Sequence, residues 1–247
     1  MKNTYELYNC DCLEYMKNMA DNSVDLILTD PPYEISRDTN FLSGKIKSDD
    51  TCKFRISMQF GEWDNNFKGL DKIIFECYRI LKRGGTIICF YDIWKITTLK
   101  EYFEKAKFTQ LRFIEWIKTN PVPINSKINY LTNAREIAVV GIKGANPTFF
   151  SEYDNGIYSY PICQDKGRFH PTQKPIALLE DLINKHSKEN DLIFDGFAGS
   201  ASTALAAYNL KRSFIGCEIS KEYFDKSIER LSNIGKKSFI TDINLIV

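Results

Sequence analysis

No charge of either sign dominates this chain. Thirty-three lysines and arginines stand against 32 aspartates and glutamates, leaving a formal net charge of +1. A global basic field is therefore missing, and any nucleic-acid surface must be local. No apolar run approaches membrane-spanning length and no secretory signal is recognisable, so the chain reads as soluble and cytoplasmic, with no membrane partner. The seven cysteines (10, 12, 52, 77, 89, 163 and 217) contain no C-x-x-C pair and no Cys/His zinc spacing. Reduced, packed thiols are expected, and no metal. Internal repeats, low-complexity tracts and Pro/Gly/Ser linkers are also absent. With 43% hydrophobic and 26% charged residues over 247 positions, the composition is that of one globular domain spanning the whole chain.

What is present is a regular alternation of short apolar strands and amphipathic helices. Strands are expected at Tyr5–Tyr8, Val24–Thr29, Thr86–Tyr91, Leu111–Ile117, Glu136–Ile142, Leu192–Phe194 and Ser213–Cys217. Helices are expected at Leu13–Met19, Leu70–Leu81, Trp94–Lys107, Pro175–His186, Ser200–Tyr208 and Lys221–Ile234. Lys82-Arg83-Gly84-Gly85 supplies basic residues and glycine where the second helix should stop. This order predicts an α/β fold: a doubly wound, mainly parallel sheet with helices on both faces. Two stretches break the rhythm, 34–66 and the polar run Lys143–His170. A long irregular connection inside a compact domain is usually functional.

Asp30-Pro31-Pro32-Tyr33 follows the strand Val24–Thr29 at its carboxyl end. Two prolines fix φ and remove two donors, so neither strand nor helix continues through them. The result is a rigid extended segment carrying a carboxylate, free carbonyls and an aromatic ring. It suits a flat nitrogenous base, whose exocyclic amine donates to the carboxylate and a carbonyl while tyrosine stacks on the ring.

A second constellation, Asp195-Gly196-Phe197-Ala198-Gly199-Ser200, sits between a strand and a helix. Glycine lets the backbone approach a ligand there, outside the carboxyl ends of the strands. Glu218 closes the next strand, where an acid accepts from ribose hydroxyls. The turn lacks G-x-G-x-x-G and the Walker lysine arrangement, and an acid in it suits a ligand amino group better than a pyrophosphate.

Together with His170-Pro171-Thr172-Gln173-Lys174-Pro175, these motifs resemble the amino-methyltransferases of DNA, in the permuted motif order of the β-class. The resemblance runs nearly end to end. It includes Asn9-Cys10-Asp11-Cys12-Leu13, Leu81-Lys82-Arg83-Gly84-Gly85 and Trp116-Ile117-Lys118-Thr119-Asn120-Pro121. It implies S-adenosylmethionine as cofactor, a Rossmann-like fold and double-stranded DNA as substrate, the target base leaving the duplex to be methylated. Asp30, Pro31, Pro32 and Tyr33 become the expected catalytic segment. Asp11, Cys12, Asp30, Thr172, Lys174, Asp195, Phe197, Ala198, Gly199, Ser200, Ala201, Thr203 and Glu218 become the expected cofactor site. Within it, Asp195 and its neighbours are implied at the methionine end, Glu218 at the ribose, and Asp11 with Cys12 at the adenine.

Some choices stay open. Lys174 is expected either near the methionine carboxylate or as a cap on the following helix, Phe197 either at the cofactor or in the core, and His170 as a structural partner. Relatives usually read D-P-F-x-G-S-G-T-T where this chain has Gly196, Ala201 and Ser202. Ala201 is harmless if its backbone is helical and costly if it needs positive φ. Aspartate at the first position of D-P-P-Y is commoner among N6-adenine enzymes and serine among N4-cytosine enzymes, so adenine is expected. An N4-cytosine enzyme, an RNA adenine methyltransferase and an inactive DNA-binding subunit remain alternatives. Residues 35–66, with Arg37, Lys45, Lys47, Lys53 and Arg55, and residues 145–169, with five aromatics beside Lys166 and Arg168, are the expected DNA contacts. A homodimer and a cognate restriction enzyme are compatible partners.

Overall fold

The strand order of the sheet decides where chemistry can happen. A computed structural model describes residues 3–33, 69–121, 131–163, 168–170, 172–233 and 239–240. The expected DNA contact 35–66 lies outside these. In chain order the elements are β1 (Tyr5–Tyr8), α1 (Cys12–Met16), β2 (Val24–Thr29), α2 (Leu70–Ile80), β3 (Leu81–Tyr91), α3 (Ile96–Lys105), β4 (Thr109–Lys118), β5 (Arg135–Ile142), β6 (Ile157–Tyr160), α4 (Ile176–His186), β7 (Leu192–Asp195), α5 (Ser202–Asn209), β8 (Ser213–Cys217), α6 (Lys221–Asn233) and β9 (Phe239–Ile240). A short 3₁₀ turn, Ile93–Lys95, leads into α3.

The strands form one nine-stranded sheet in the order β6-β4-β5-β3-β2-β7-β8-β1-β9. From β2 the chain builds outward on one side, and from β7 on the other. The crevice between their carboxyl ends is the topological switch point of a doubly wound sheet, where ligands bind. Among the described strands only β5 runs antiparallel, to both β3 and β4. Its first residues, Arg135–Ile137, therefore reach the edge where the parallel strands end.

Side chains on β3 show why both faces are covered. Ile88 and Phe90 pack with α4, α5 and α6, whereas Ile87, Cys89 and Tyr91 pack with α1, α2 and α3. Period-two alternation with both sets apolar is the signature of a strand buried on both sides. In α2, Leu70, Ile73, Ile74, Cys77 and Ile80 supply the complementary stripe, and each large apolar side chain so buried contributes about 1.5–3 kcal/mol.

Two local expectations are corrected. α2 stops at Ile80, within one residue of the expected end, but Lys82-Arg83-Gly84-Gly85 is not its cap: it forms the bulged start of β3, where pairing jumps from Val24↔Leu81 to Leu26↔Thr86. Gly84 takes φ +83°, and a Cβ there would stand 2.8 Å from the Asn146 carbonyl oxygen, so glycine serves the bulge rather than a helix cap. The run Lys143–His170 also holds a strand, β6, which pairs with β4. In its first part Phe149 packs on His186, with ring centroids 4.9 Å apart, and the Phe150 amide donates to the Lys185 carbonyl at 2.9 Å. Both contacts lie at the last turn of α4, at the edge away from Asp30. Of the 145–169 expectation, the stretch at the catalytic edge is the one following Tyr160.

Candidate active site

The β2 strand delivers Asp30 to the switch point, and the two prolines hold Tyr33 back over it. The Tyr33 hydroxyl donates to Asp30 Oδ1 at 2.8 Å, and its ring meets Tyr91 edge-on at 5.5 Å. The Lys174 ammonium donates to Asp30 Oδ2. Lys174 is 7% exposed, also binds Glu136 Oε2 at 3.0 Å, and lies 4.8 Å from the centre of the Phe90 ring. Glu136 in turn binds Lys118 through Oε1 at 2.8 Å. Asp30, Lys174, Glu136 and Lys118 thus form a row of alternating charge with no net charge.

Burial pushes the Asp30 carboxyl above its ordinary pKa, with Lys174 acting against it. Burial also opposes the Lys174 ammonium, but Asp30 and Glu136 outweigh it and hold lysine above its usual pKa. For Glu136 burial is outweighed by Lys174 and Lys118, and its pKa falls. The expected choice for Lys174 between cofactor carboxylate and helix cap meets a third arrangement, an ion pair with Asp30.

Beside Asp30, at the end of β7, Asp195 is almost fully buried. Oδ1 accepts from Thr29 Oγ1 at 2.9 Å and from the Phe197 amide at 3.0 Å, and Oδ2 accepts from Thr203 Oγ1 at 2.7 Å. One carboxyl group therefore ties β2, β7 and α5 together. Burial pushes its pKa up to about 6. A cavity between the two motifs is lined by Leu28, Thr29, Asp30, Phe90, Lys174, Leu179, Asp195 and Thr203.

The glycine turn is held from several sides. Glu218 Oε2 accepts from the Gly199 amide at 2.8 Å and Oε1 from the Ser220 amide at 2.7 Å. Ser227 and Arg230 on α6 donate to the Gly199 and Ser200 carbonyls, both at 2.7 Å. His170 lies over Gly199 and stacks edge-on with Tyr223 at 4.4 Å. Burial lowers its pKa to about 4, which keeps the ring neutral near pH 7, as a structural partner requires. Thr172 Oγ1 lies 3.2 Å from the same ring, at Nδ1.

Other expected cofactor residues shape the turn from below. Ser200 pairs its hydroxyl with Ser202 at 3.1 Å, and Ala198 is buried. Phe197 is half-buried and packs against the core around α1 and α2. Asp11 caps α1, accepting from the Leu13 and Glu14 amides at 2.8 and 3.1 Å. Cys12 lies under Gly196, where a Cβ would meet its own Cβ at 3.2 Å. Glycine in place of the family's proline thus gives α1 room to pack on the turn.

Ala201 resolves the costly way: it is fully buried at φ +56°, ψ 31°. A left-handed alanine costs roughly 1–2 kcal/mol, and the methyl lost on trimming it is worth about 0.8 kcal/mol. Ala201→Gly is expected to raise stability by about 0.2–1.2 kcal/mol, seen as a melting temperature higher by roughly 0.5–5 °C. An unchanged or lower melting point would refute the strain.

Sequence reasoning missed Glu136 and Lys118 as members of the site. A glutamate heading the otherwise apolar run Ile137–Ile142 was the available signal.

This switch-point pairing of a D-P-P-Y segment with a glycine turn matches a known family along most of its length. A family model described as DNA methylase, of the N6 and N4 type, matches residues 24–229. The chain belongs to this family. It is 30% identical over 251 residues to the Type II methyltransferase M2.MboI of Moraxella bovis, spanning 93% of this chain and 88% of that one. To the Type II methyltransferase M.HpaI of Haemophilus parainfluenzae it is 31% identical over 248 residues, spanning 90% and 73%. Among solved structures, the M1.HpyAVI–SAM complex superposes with a TM-score of 0.67 at 29% identity, covering 92% of this chain and all of the other. The cytosine-N4-specific PvuII DNA methyltransferase shares the fold with a TM-score of 0.71 at 17% identity, over 99% and 89%. The protein is thus a DNA amino-methyltransferase with the Rossmann-like sheet of its family. No described helix is long and apolar enough to cross a membrane.

Proposed function

We propose that this DNA amino-methyltransferase transfers a methyl group from S-adenosylmethionine to the N6 amino group of adenine in duplex DNA. The observation that carries this is the ionisable Asp30, fixed by Tyr33 and Lys174 at the switch point directly beside the glycine turn. An aspartate rather than a serine at this position favours adenine over cytosine.

The residues fit the cofactor. Asp195 places a carboxyl group at the crevice, suited to the cationic methionine end, and Glu218 retains acceptor capacity for ribose hydroxyls. Asp11 and Cys12, at the start of α1 beside Gly196, are assigned to the adenine end in this reading. When bound, the cofactor supplies an electrophilic methyl group on a sulfonium.

The chain's own residues then act on the amine. Its nitrogen lone pair is delocalised into the ring, so Asp30 and the Pro31 carbonyl accept its N–H groups and draw the nitrogen towards tetrahedral geometry. The same acceptors stabilise the positive charge that develops there, already oriented before reaction. Tyr33 holds the base against the segment, and the rigid prolines keep amine and methyl in line. A base reaches this crevice only by leaving the duplex. Trp94, 90% exposed on the turn just after Tyr91, offers a stacking surface on the same edge.

The test is incubation of the protein with labelled S-adenosylmethionine and unmethylated genomic DNA, followed by nucleoside mass spectrometry. N6-methyladenine is expected. N4-methylcytosine would overturn the base assignment, and label confined to RNA would overturn the substrate. Glu218→Ala is expected to weaken cofactor binding about 10- to 150-fold, the equivalent of 1.5–3 kcal/mol for lost charged hydrogen bonds. Calorimetric titration with the cofactor checks this, and unchanged affinity would remove Glu218 from the ribose site.

A further inference from the structure

Lys174 presents a problem that the proposed reaction makes acute. Its ammonium touches the acceptor carboxylate of Asp30, so it stands close to where the amine becomes positively charged. Left alone, a buried cation at that range would oppose transfer strongly, because charges interact through little water there. Glu136 Oε2 meets the same ammonium at 3.0 Å, and Lys118 balances Glu136 at 2.8 Å. Antiparallel β5 makes this possible by bringing its first residues to the catalytic edge.

Resting on the methyl-transfer reading above, we propose that Lys174 and Glu136 are positioning residues: Lys174 fixes the Asp30 carboxylate as a pure acceptor, and Glu136 cancels the lysine's charge so that the amine does not feel it.

The groups facing Asp30 set the expected pH behaviour. They are Tyr33 on its own segment, Cys89 on β3, Glu136 on β5, Lys174 ahead of α4 and Asp195 on β7. Lys174 lowers the Asp30 pKa, and Glu136 raises it. Activity needs ionised Asp30, so the rate falls at low pH as Asp30 takes up a proton. Lys174→Met removes the cation and is expected to move this acid limb to higher pH. Glu136→Gln removes the anion and is expected to move it to lower pH, while cutting kcat about 10- to 100-fold through the uncancelled lysine.

The experiment compares kcat and KM against pH for wild type, both single variants and the double variant, with melting and cofactor titration to establish folding. Opposite displacements of the acid limb, an unchanged cofactor KM in Glu136→Gln, and a double variant faster than Glu136→Gln alone are expected. Displacements in one direction, an unmoved limb, or losses that multiply in the double variant would overturn the proposal. Glu136→Gln conserves shape and carries the test if Lys174→Met fails to fold. The Asp30 titration is also read without turnover from its ¹³C carboxyl NMR shift. An inactive wild type thus counts against the function, and an unmoved Asp30 titration counts against Lys174 and Glu136.

Discussion

Asp30→Ala is expected to lower methyl transfer by at least about 10²–10³-fold, the range found when one preorganised partner of developing charge is removed. Cofactor affinity and melting temperature should change little. Lys174 would keep Glu136 as a partner, so no buried ammonium is stranded. Asp30→Asn retains one carbonyl acceptor but loses the charge, and should fall between wild type and alanine. Single-turnover assays with saturating cofactor and DNA separate this loss from binding. Wild-type turnover in Asp30→Ala would sink the assignment of the acceptor.

The second large effect is structural and centres on Asp195. Asp195→Ala strips partners from two hydroxyls and one amide in a nearly dry site. With the buried charge itself also removed, the net loss should be about 2–4 kcal/mol, or a melting temperature lower by roughly 5–15 °C without cofactor. Titration gives an independent readout. The folded pKa, about 6, lies above the ordinary value of 3.8, so between those pH values the fold holds a proton that the unfolded chain has released. From this group alone, stability is greatest below the unfolded pKa, declines as pH rises through the window by roughly 3 kcal/mol, and is level above it. Asp195→Asn should flatten that part of the stability profile. A slope that persists in the asparagine variant would assign it to another group.

Much of the architecture was legible in residue patterns because its strands and helices bury continuous apolar sets. The alternation Ile87/Cys89/Tyr91 against Ile88/Phe90 states a doubly covered strand by itself. β6 escaped because Ile157–Tyr160 is a short edge strand with one buried residue, set in a polar stretch. Lys82–Gly85 marked the end of α2 correctly but hid the early start of β3, because glycine after a helix and glycine in a bulge look alike until φ is known. The same holds for Ala201, whose cost depended on a backbone angle that composition cannot express. Asp30, Asp195 and Glu218 stood out through their motifs. Their connections did not: Lys174 lies 144 positions from Asp30, and Thr29 lies 166 from Asp195. Contacts of that separation follow from strand order, which no local spacing encodes.

The reversal of β5 also decides where the described chain can be cut and rejoined. The described chain leaves the sheet after Tyr33, Pro121 and Cys163 and rejoins it ahead of α2, β5 and α4. Had β5 run parallel to its neighbours, the middle connection would have had to return to the opposite edge. Instead, all three departures and returns are on the side that holds Asp30. A homologue's sequence exchanged at these points meets the described chain on one rim alone, while the strands and the charge row beneath stay untouched.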